Sequence, residues 1–279
     1  MRSGGGRSVC STPGFKVIVL LVAWSDAHTA WPGGSDGATR IDLDMNFKIR
    51  QREPELMDQP GLSAGEHGRA LAGLGRINWW SRSDAIVWPA VLESARRRAG
   101  KPLQILDIAS GGGDVALSIA ARAKRAGIPV EIDGCDISPF AISYATQQAA
   151  ARGLEQVRFF ECDVLTQSLD KQYDVVMCSL FLHHLDEEPA QQLLKIMAES
   201  SRELILVNDL RRSRAGYCLA WTACRLLTRS PVVHTDGPLS VAGAFTVNEI
   251  TELARQAGLS GFQITRHWPQ RWLLKWSRK

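Results

Sequence analysis

Leu106-Asp107-Ile108-Ala109-Ser110-Gly111-Gly112-Gly113-Asp114 joins the end of an apolar run to a turn of small residues and then to the first turn of a helix. Glycine carries no Cβ, so such a turn lets backbone N–H groups approach a ligand at a helix N-terminus. The next apolar run, residues 130–135, closes on an acid, Asp136. A carboxylate there suits a ribose, whose two hydroxyls need acceptors. Together the two features describe a seat for a nucleoside-containing cofactor.

Around this seat, strand and helix signals alternate. Strands are expected over 104–108, 130–135, 157–161, 174–179 and 203–207. Helices are expected over 114–126, from Ser138-Pro139 to near Gly153, and over 189–199. This alternation predicts an α/β fold with a doubly wound, mostly parallel sheet and its ligand edge at the strands' C-terminal ends. Beyond the fifth strand come a helix over 214–228, a loop through Pro231 and Pro238, and a helix opened by the capping box Thr246-Val247-Asn248-Glu249. Runs at 261–268 and 271–276 flank Pro269-Gln270 and read as a C-terminal antiparallel β-hairpin. Upstream, Ser63-Ala64-Gly65-Glu66 is another capping box, and a second helix over 83–99 is kinked or split at Pro89. The organisation expected is an N-terminal helical cap over 45–100 and a main domain over 101–279, with an insert at 211–245.

Residues 1–44 differ from the rest. Gly4-Gly5-Gly6 and Trp31-Pro32-Gly33-Gly34 are loop signals around an apolar run at 17–24 that follows Arg2, Arg7 and Lys16. The readings are a gene-model extension ahead of a start at Met45, a disordered segment, or a signal peptide; the run is too short to span a bilayer as a helix.

Composition narrows the class. Apolar residues make up 45% of the 279 and charged residues 22%, and the formal charge is +4. These are the values of a globular chain, and with no basic stripe no nucleic-acid partner is expected. None of the six cysteines pairs at zinc or redox spacing, so no disulfide framework is expected and a reducing, cytoplasmic compartment is.

Gly111-x-Gly113-x-x-Ala116 also fits a dinucleotide fingerprint, but the surroundings do not. Asp107, four residues before the first glycine, suits an ammonium group and would repel a pyrophosphate. Asp163, after the third strand, offers an acceptor for an adenine amino group. No tyrosine is followed by lysine at the spacing of a short-chain dehydrogenase.

From about Arg76 to Trp276 the chain resembles the class I S-adenosylmethionine-dependent methyltransferases. The motifs that carry this are Leu106 to Gly113, Gly134-Cys135-Asp136-Ile137-Ser138, Cys162-Asp163-Val164 and Tyr173-Asp174-Val175-Val176-Met177-Cys178-Ser179, in that order. The family's first motif has glycine where Ala109 stands. The resemblance implies a Rossmann-like methyltransferase fold with a seven-stranded sheet, and S-adenosylmethionine as cofactor. It implies that Asp107 holds the methionine end of the cofactor and that Ala109, Gly111 and Gly113 let the turn approach it. Asp136 would take the ribose hydroxyls, Ile137 would pack on the adenine, Asp163 and Val164 would line its pocket, and Ser179 and Leu180 would border the methyl group.

The acceptor side is less specific. Phe181-Leu182-His183-His184-Leu185 follows the fourth strand at the ligand edge, so His184 or His183 is a candidate catalytic base, or the two are a packing pair. Adjacent positions on a helix face apart, so they are not expected to share a metal, and no metal is expected. His234 in the insert is a second candidate base, and His67 is read as structural. Ser179-Leu180-Phe181-Leu182 stands where methyltransferases acting on exocyclic or amide nitrogens carry Asn/Asp-Pro-Pro-Tyr. The apolar insert resembles the lid of the quinone-biosynthesis and polyketide-tailoring branch. That implies a small lipophilic phenolic, quinol or polyketide-type acceptor, methylated on oxygen or carbon, with residues 214–228 touching the inner face of a membrane as a further expectation. An RNA or protein methyltransferase and a non-catalytic partner that binds S-adenosylmethionine stay open as alternatives. The sequence sets no oligomeric state.

Overall fold

The computed structural model describes residues 45–278 apart from 59–61, 99 and 170, and the readings made for 1–44 lie outside them. Strands β1 (Leu103–Ile108), β2 (Val130–Asp136), β3 (Val157–Glu161), β4 (Tyr173–Ser179), β5 (Ser201–Leu210), β6 (Gln263–His267) and β7 (Arg271–Ser277) form a seven-stranded sheet. Its order is β3-β2-β1-β4-β5-β7-β6. The first five strands are parallel, and β7 runs antiparallel to both β5 and β6.

Successive side chains on a strand point to opposite faces, and both faces here are covered. Ile105, Met177 and Leu206 pack with Val87 and Val91 of α2 (Ser83–Arg96), Leu117 and Ile119 of α3 (Asp114–Arg125) and Ala149 of α4 (Pro139–Ala151). Their neighbours Leu106, Val176 and Ile205 pack on the other side with Leu193 and Met197 of α5 (Glu187–Ser200) and with Ile250 and Leu253 of α8 (Val247–Gln256). That is why the central strands read as continuous apolar runs rather than alternating ones.

The remaining helices are α1 (Ala64–Trp80), α6 (Arg214–Leu227) and α7 (Pro231–Gly243). Ser63 and Glu66 cap α1 reciprocally, and Thr246 and Glu249 do the same for α8. Ala70, Cys224, Val232 and Val233 form a small core that joins α1 to α6 and α7, with Met57, Leu62, Leu74 and Ile77 against it.

Three elements depart from the sequence expectations. Helix α2 is not split at Pro89, which lies inside it, and it ends at Arg96 rather than at 99. Helix α5 begins at Glu187, with Pro189 inside its first turn, where a missing N–H breaks no helical bond. The stretch expected as a loop through Pro231 and Pro238 is α7, with Pro231 at its start. Pro238 cannot donate to the His234 carbonyl, and Arg225 Nη1 donates to that carbonyl instead, at 3.4 Å.

Residues 45–55 form an irregular strap, followed by a short 3-10 turn at Leu56–Asp58, against α6 and α7, the lid helices. Arg50 Nε donates to Gly243 O at 2.7 Å, and its Nη2 donates to His183 O at 3.0 Å and Leu185 O at 2.6 Å. From the lid side, buried Arg212 donates to Phe47 O at 3.1 Å and to Ala244 O at 2.6 Å.

Candidate functional site

The strand order reverses between β1 and β4, with β2 and β3 to one side and β5 to the other. In an open α/β sheet the crevice at such a point, beyond the strands' C-terminal ends, is where ligands bind. The chain places Asp107, Gly111, Gly113, Asp136 and Ser179 at these ends on β1, β2 and β4 and the turn that follows β1.

The turn from Ala109 to Gly113 needs left-handed backbone. Gly111 has φ 51° and Gly113 φ 76°, and Ala109 adopts φ 53° although it is not glycine. Glycine adopts that conformation without the Cβ crowding that an alanine meets. Gly113 also sits against a wall: a Cβ there would meet the Phe159 ring at 2.6 Å and Ala145 Cβ at 3.1 Å. At Gly111 a Cβ would meet nothing within 4 Å, so one side of the turn is open.

Asp107 is 2% exposed, and burial pushes its carboxyl up to about 8. A hydrogen bond from the Ala116 backbone opposes the rise, while Asp136 and Asp114 add to it. Such a group gains from a cation brought by a ligand. Asp136 is tied on both oxygens: Gly111 N–H donates to Oδ2 at 2.8 Å and Ser138 N–H to Oδ1 at 2.9 Å. A carboxylate has about four lone-pair directions, so two remain for hydroxyls. Beside it, Ile137 is 67% exposed, an uncovered apolar side chain at the rim. Asp163 closes the turn after β3, accepting from Leu165 N–H at 3.0 Å and Thr166 Oγ1 at 2.8 Å, and Val164 is buried next to it. The buried hydroxyls of Ser110 and Ser179 have no hydrogen-bond partner. A buried carboxyl with no ion pair among the described residues, two such hydroxyls and an open glycine turn fit a ligand that carries an ammonium group and a nucleoside.

The second group of side chains lies beyond Ser179, under the lid. Leu180 turns the chain with φ 58°, and a short 3-10 turn, Leu182–His184, follows. The two histidines do not face apart: their ring centroids are 4.4 Å from each other. His183 is 4% exposed and its Nδ1 lies 2.7 Å from Asp209 Oδ1. Since a carboxylate only accepts, Nδ1 carries the proton. The His183 N–H donates to the other oxygen of Asp209 at 3.0 Å. Burial pushes the Asp209 carboxyl up, but the His183 ring and the N–H groups of Leu210 and His183 outweigh it and hold it below its usual value. Glu55, from the strap, comes within 3.7 Å of His183 Nε2 and 3.8 Å of His184 Nε2.

His234 Nε2 donates to Thr228 O at 2.9 Å, and the His67 ring stacks on Phe140 at 4.6 Å. Asp209 and Glu55 are absent from the sequence expectations. Asp209 lies near the C-terminal end of an apolar strand, as Asp107 and Asp136 do, so its position was legible although its contact with His183 was not. Glu55 lies in an irregular segment with no periodicity to mark it. The described cysteines form no disulfide, and among the described residues no helix is long and apolar enough to cross a membrane.

Residues 105–203 match the family model of a methyltransferase domain. A demethylmenaquinone methyltransferase of Thermus thermophilus is 38% identical over 108 residues, 38% of this chain and 47% of that protein. Another of that name from Deinococcus radiodurans is 37% identical over 110 residues, 39% of this chain and 40% of that protein. The match therefore spans less than half the length of either curated relative. Among solved structures, a magnesium protoporphyrin IX methyltransferase of Synechocystis with bound SAH superposes with a TM-score of 0.51 at 18% identity. That superposition covers 80% of this chain and 91% of the other, and it shows a shared fold. The cofactor of such a domain is S-adenosylmethionine.

Proposed function

We propose that this chain, the carrier of a class I methyltransferase domain, transfers a methyl group from S-adenosylmethionine to a small lipophilic acceptor of phenolic, quinol or polyketide type, on oxygen or carbon. The observation that carries this reading is the crevice between β1 and β4, where Asp107, the 109–113 turn and Asp136 converge inside the matched segment. The acceptor class is supported by the two curated relatives, both named for a demethylmenaquinone acceptor.

The cofactor supplies a sulfonium methyl that is already activated. The protein's part is then to hold donor and acceptor in line and to keep water out. Asp107 takes the ammonium group of the methionine end, and Asp136 takes the ribose hydroxyls. Ile137 covers the adenine, with Asp163 and Val164 at its edge. Ser179 and Leu180 border the methyl group. His183 and His184 stand on the acceptor side, below the lid helices α6 and α7, and set where the acceptor's reacting atom lies.

The test is transfer of tritiated methyl from S-adenosylmethionine by the purified chain into an extract of its own host. Label in the organic phase, reduced with Asp136→Ala at limiting S-adenosylmethionine, is the expected result. Label in RNA or protein would remove the acceptor class. Cofactor binding with no transfer to any fraction would mark a non-catalytic partner.

A further inference from the structure

We propose that Glu55, His183 and His184 bind a divalent transition-metal ion, with zinc the best match to the donor set. One ligand atom from each of the three residues can be chosen so that all lie within 4.8 Å of one another. Glu55 Oε1 is 3.7 Å from one ring nitrogen and 3.8 Å from the other. Two ligands on one tetrahedral zinc stand roughly 3.3 Å apart, from bond lengths of about 2.0–2.2 Å, so the carboxylate closes on each ring by a few tenths of an ångström and the two rings on each other by at most about 1.5 Å. The space for it exists: a cavity of about 30 Å³ is lined by Glu55, His183, His184, Ser240 and Gly243, with Arg52 at its edge.

The surroundings are those of a ligand set. The Asp209 carboxylate fixes the proton of His183 on Nδ1, at 2.7 Å, so the lone pair on Nε2 is directed away from it and toward Glu55. Carboxylate–histidine pairs of this kind orient and strengthen metal-binding imidazoles. Ser240 Oγ donates to Glu55 Oε1 at 2.5 Å and holds the carboxylate in the cavity. Two carboxylates, Glu55 and Asp209, face two imidazoles, a charge balance that favours a divalent cation. The nearby guanidiniums are engaged elsewhere: Arg52 on both oxygens of Asp186 at 2.7 and 2.8 Å, and Arg50 on backbone carbonyls. Two imidazoles with one carboxylate suit zinc and neighbouring first-row ions, and leave a coordination position for water or for an oxygen of a bound molecule.

This site goes beyond the methyl-transfer reading and does not depend on it, because metal binding is measured without cofactor or acceptor. The whole chain is dialysed against a chelator and titrated with Zn²⁺ and with Co²⁺. The readouts are metal content per chain and the visible absorption of bound Co²⁺. One ion per chain is expected, with affinity at least 10-fold weaker in Glu55→Gln and in His184→Ala. Asp209→Asn should weaken it by roughly 10- to 100-fold while one ion per chain can still be bound. Thermal melting checks that each variant folds, and Glu55→Gln should bind S-adenosylhomocysteine as the parent does. No stoichiometric ion in the parent, or equal affinity in Glu55→Gln and His184→Ala, would overturn the proposal.

Discussion

Gly111 N–H donates to Asp136 Oδ2 at 2.8 Å, so the turn after β1 is tied directly to the acid that closes β2. The same carboxylate accepts from Ser138 N–H at the head of α4. Asp136→Ala thus removes a ribose acceptor and also the brace that shapes the turn. Affinity for S-adenosylhomocysteine should fall about 5- to 150-fold, from roughly 1–3 kcal/mol for groups left without a partner. Asp136→Asn keeps one acceptor oxygen and should lose less. Calorimetry giving equal affinities for all three proteins would contradict the ribose assignment.

Asp107 makes cofactor binding depend on pH. Its carboxyl, pushed up to about 8 by burial, is mostly protonated at neutral pH. An ammonium group beside it favours the ionised form, so binding near pH 7 should release a proton and tighten as the pH rises from about 6 to 8. The ligand-free protein should show the opposite trend in stability. The folded form keeps a proton that the unfolded chain loses near pH 4, so stability falls as the pH climbs from about 4 to 8. Calorimetry in buffers of different ionisation heat reads the proton count, and Asp107→Asn should abolish it.

Gly113 stands against the Phe159 ring with a left-handed backbone. Gly113→Ala should lower stability by about 2–5 kcal/mol, from strain and overpacking together. Adding Phe159→Leu should return the packing share and leave the backbone share. Thermal melts of the single and double variants separate the two, and an unchanged melting temperature in the single variant would refute the close approach.

Ala109 is the converse case, a side chain where the backbone suits none. Ala109→Gly relieves about 1–2 kcal/mol of left-handed strain against about 0.5–1 kcal/mol of extra chain entropy in the unfolded state. The variant should melt slightly higher than the parent, and a clear drop would show that the alanine methyl packs usefully.

How much of this was legible in the sequence depended on the physics of each element. The central strands were, because burial on both faces leaves only apolar residues in Ile105, Leu106, Val175 and Val176. The capping boxes at Ser63 and Thr246 were, because they are local hydrogen-bond patterns. Helix α7 was not: Pro231 and Pro238 read as a loop, and the carbonyl that Pro238 leaves without its helical donor is met by Arg225 on another helix. The extension of β5 to Leu210 was hidden by Asn208 and Asp209, polar residues with low strand preference. In the site, the residues of the first crevice follow one another along contiguous motifs. The Glu55, His183 and Asp209 contacts join positions more than a hundred residues apart, or across a polar strand end, and no short-range pattern encodes them.

Arg50 spans from the strap to three carbonyls, on Gly243, His183 and Leu185, none of which is its neighbour in sequence. A clone trimmed to the region of family similarity would therefore lose more than a decorative leader. It would leave those oxygens bare and the lid unanchored at one end, so the smallest fragment worth expressing begins ahead of Phe47, well upstream of the first strand.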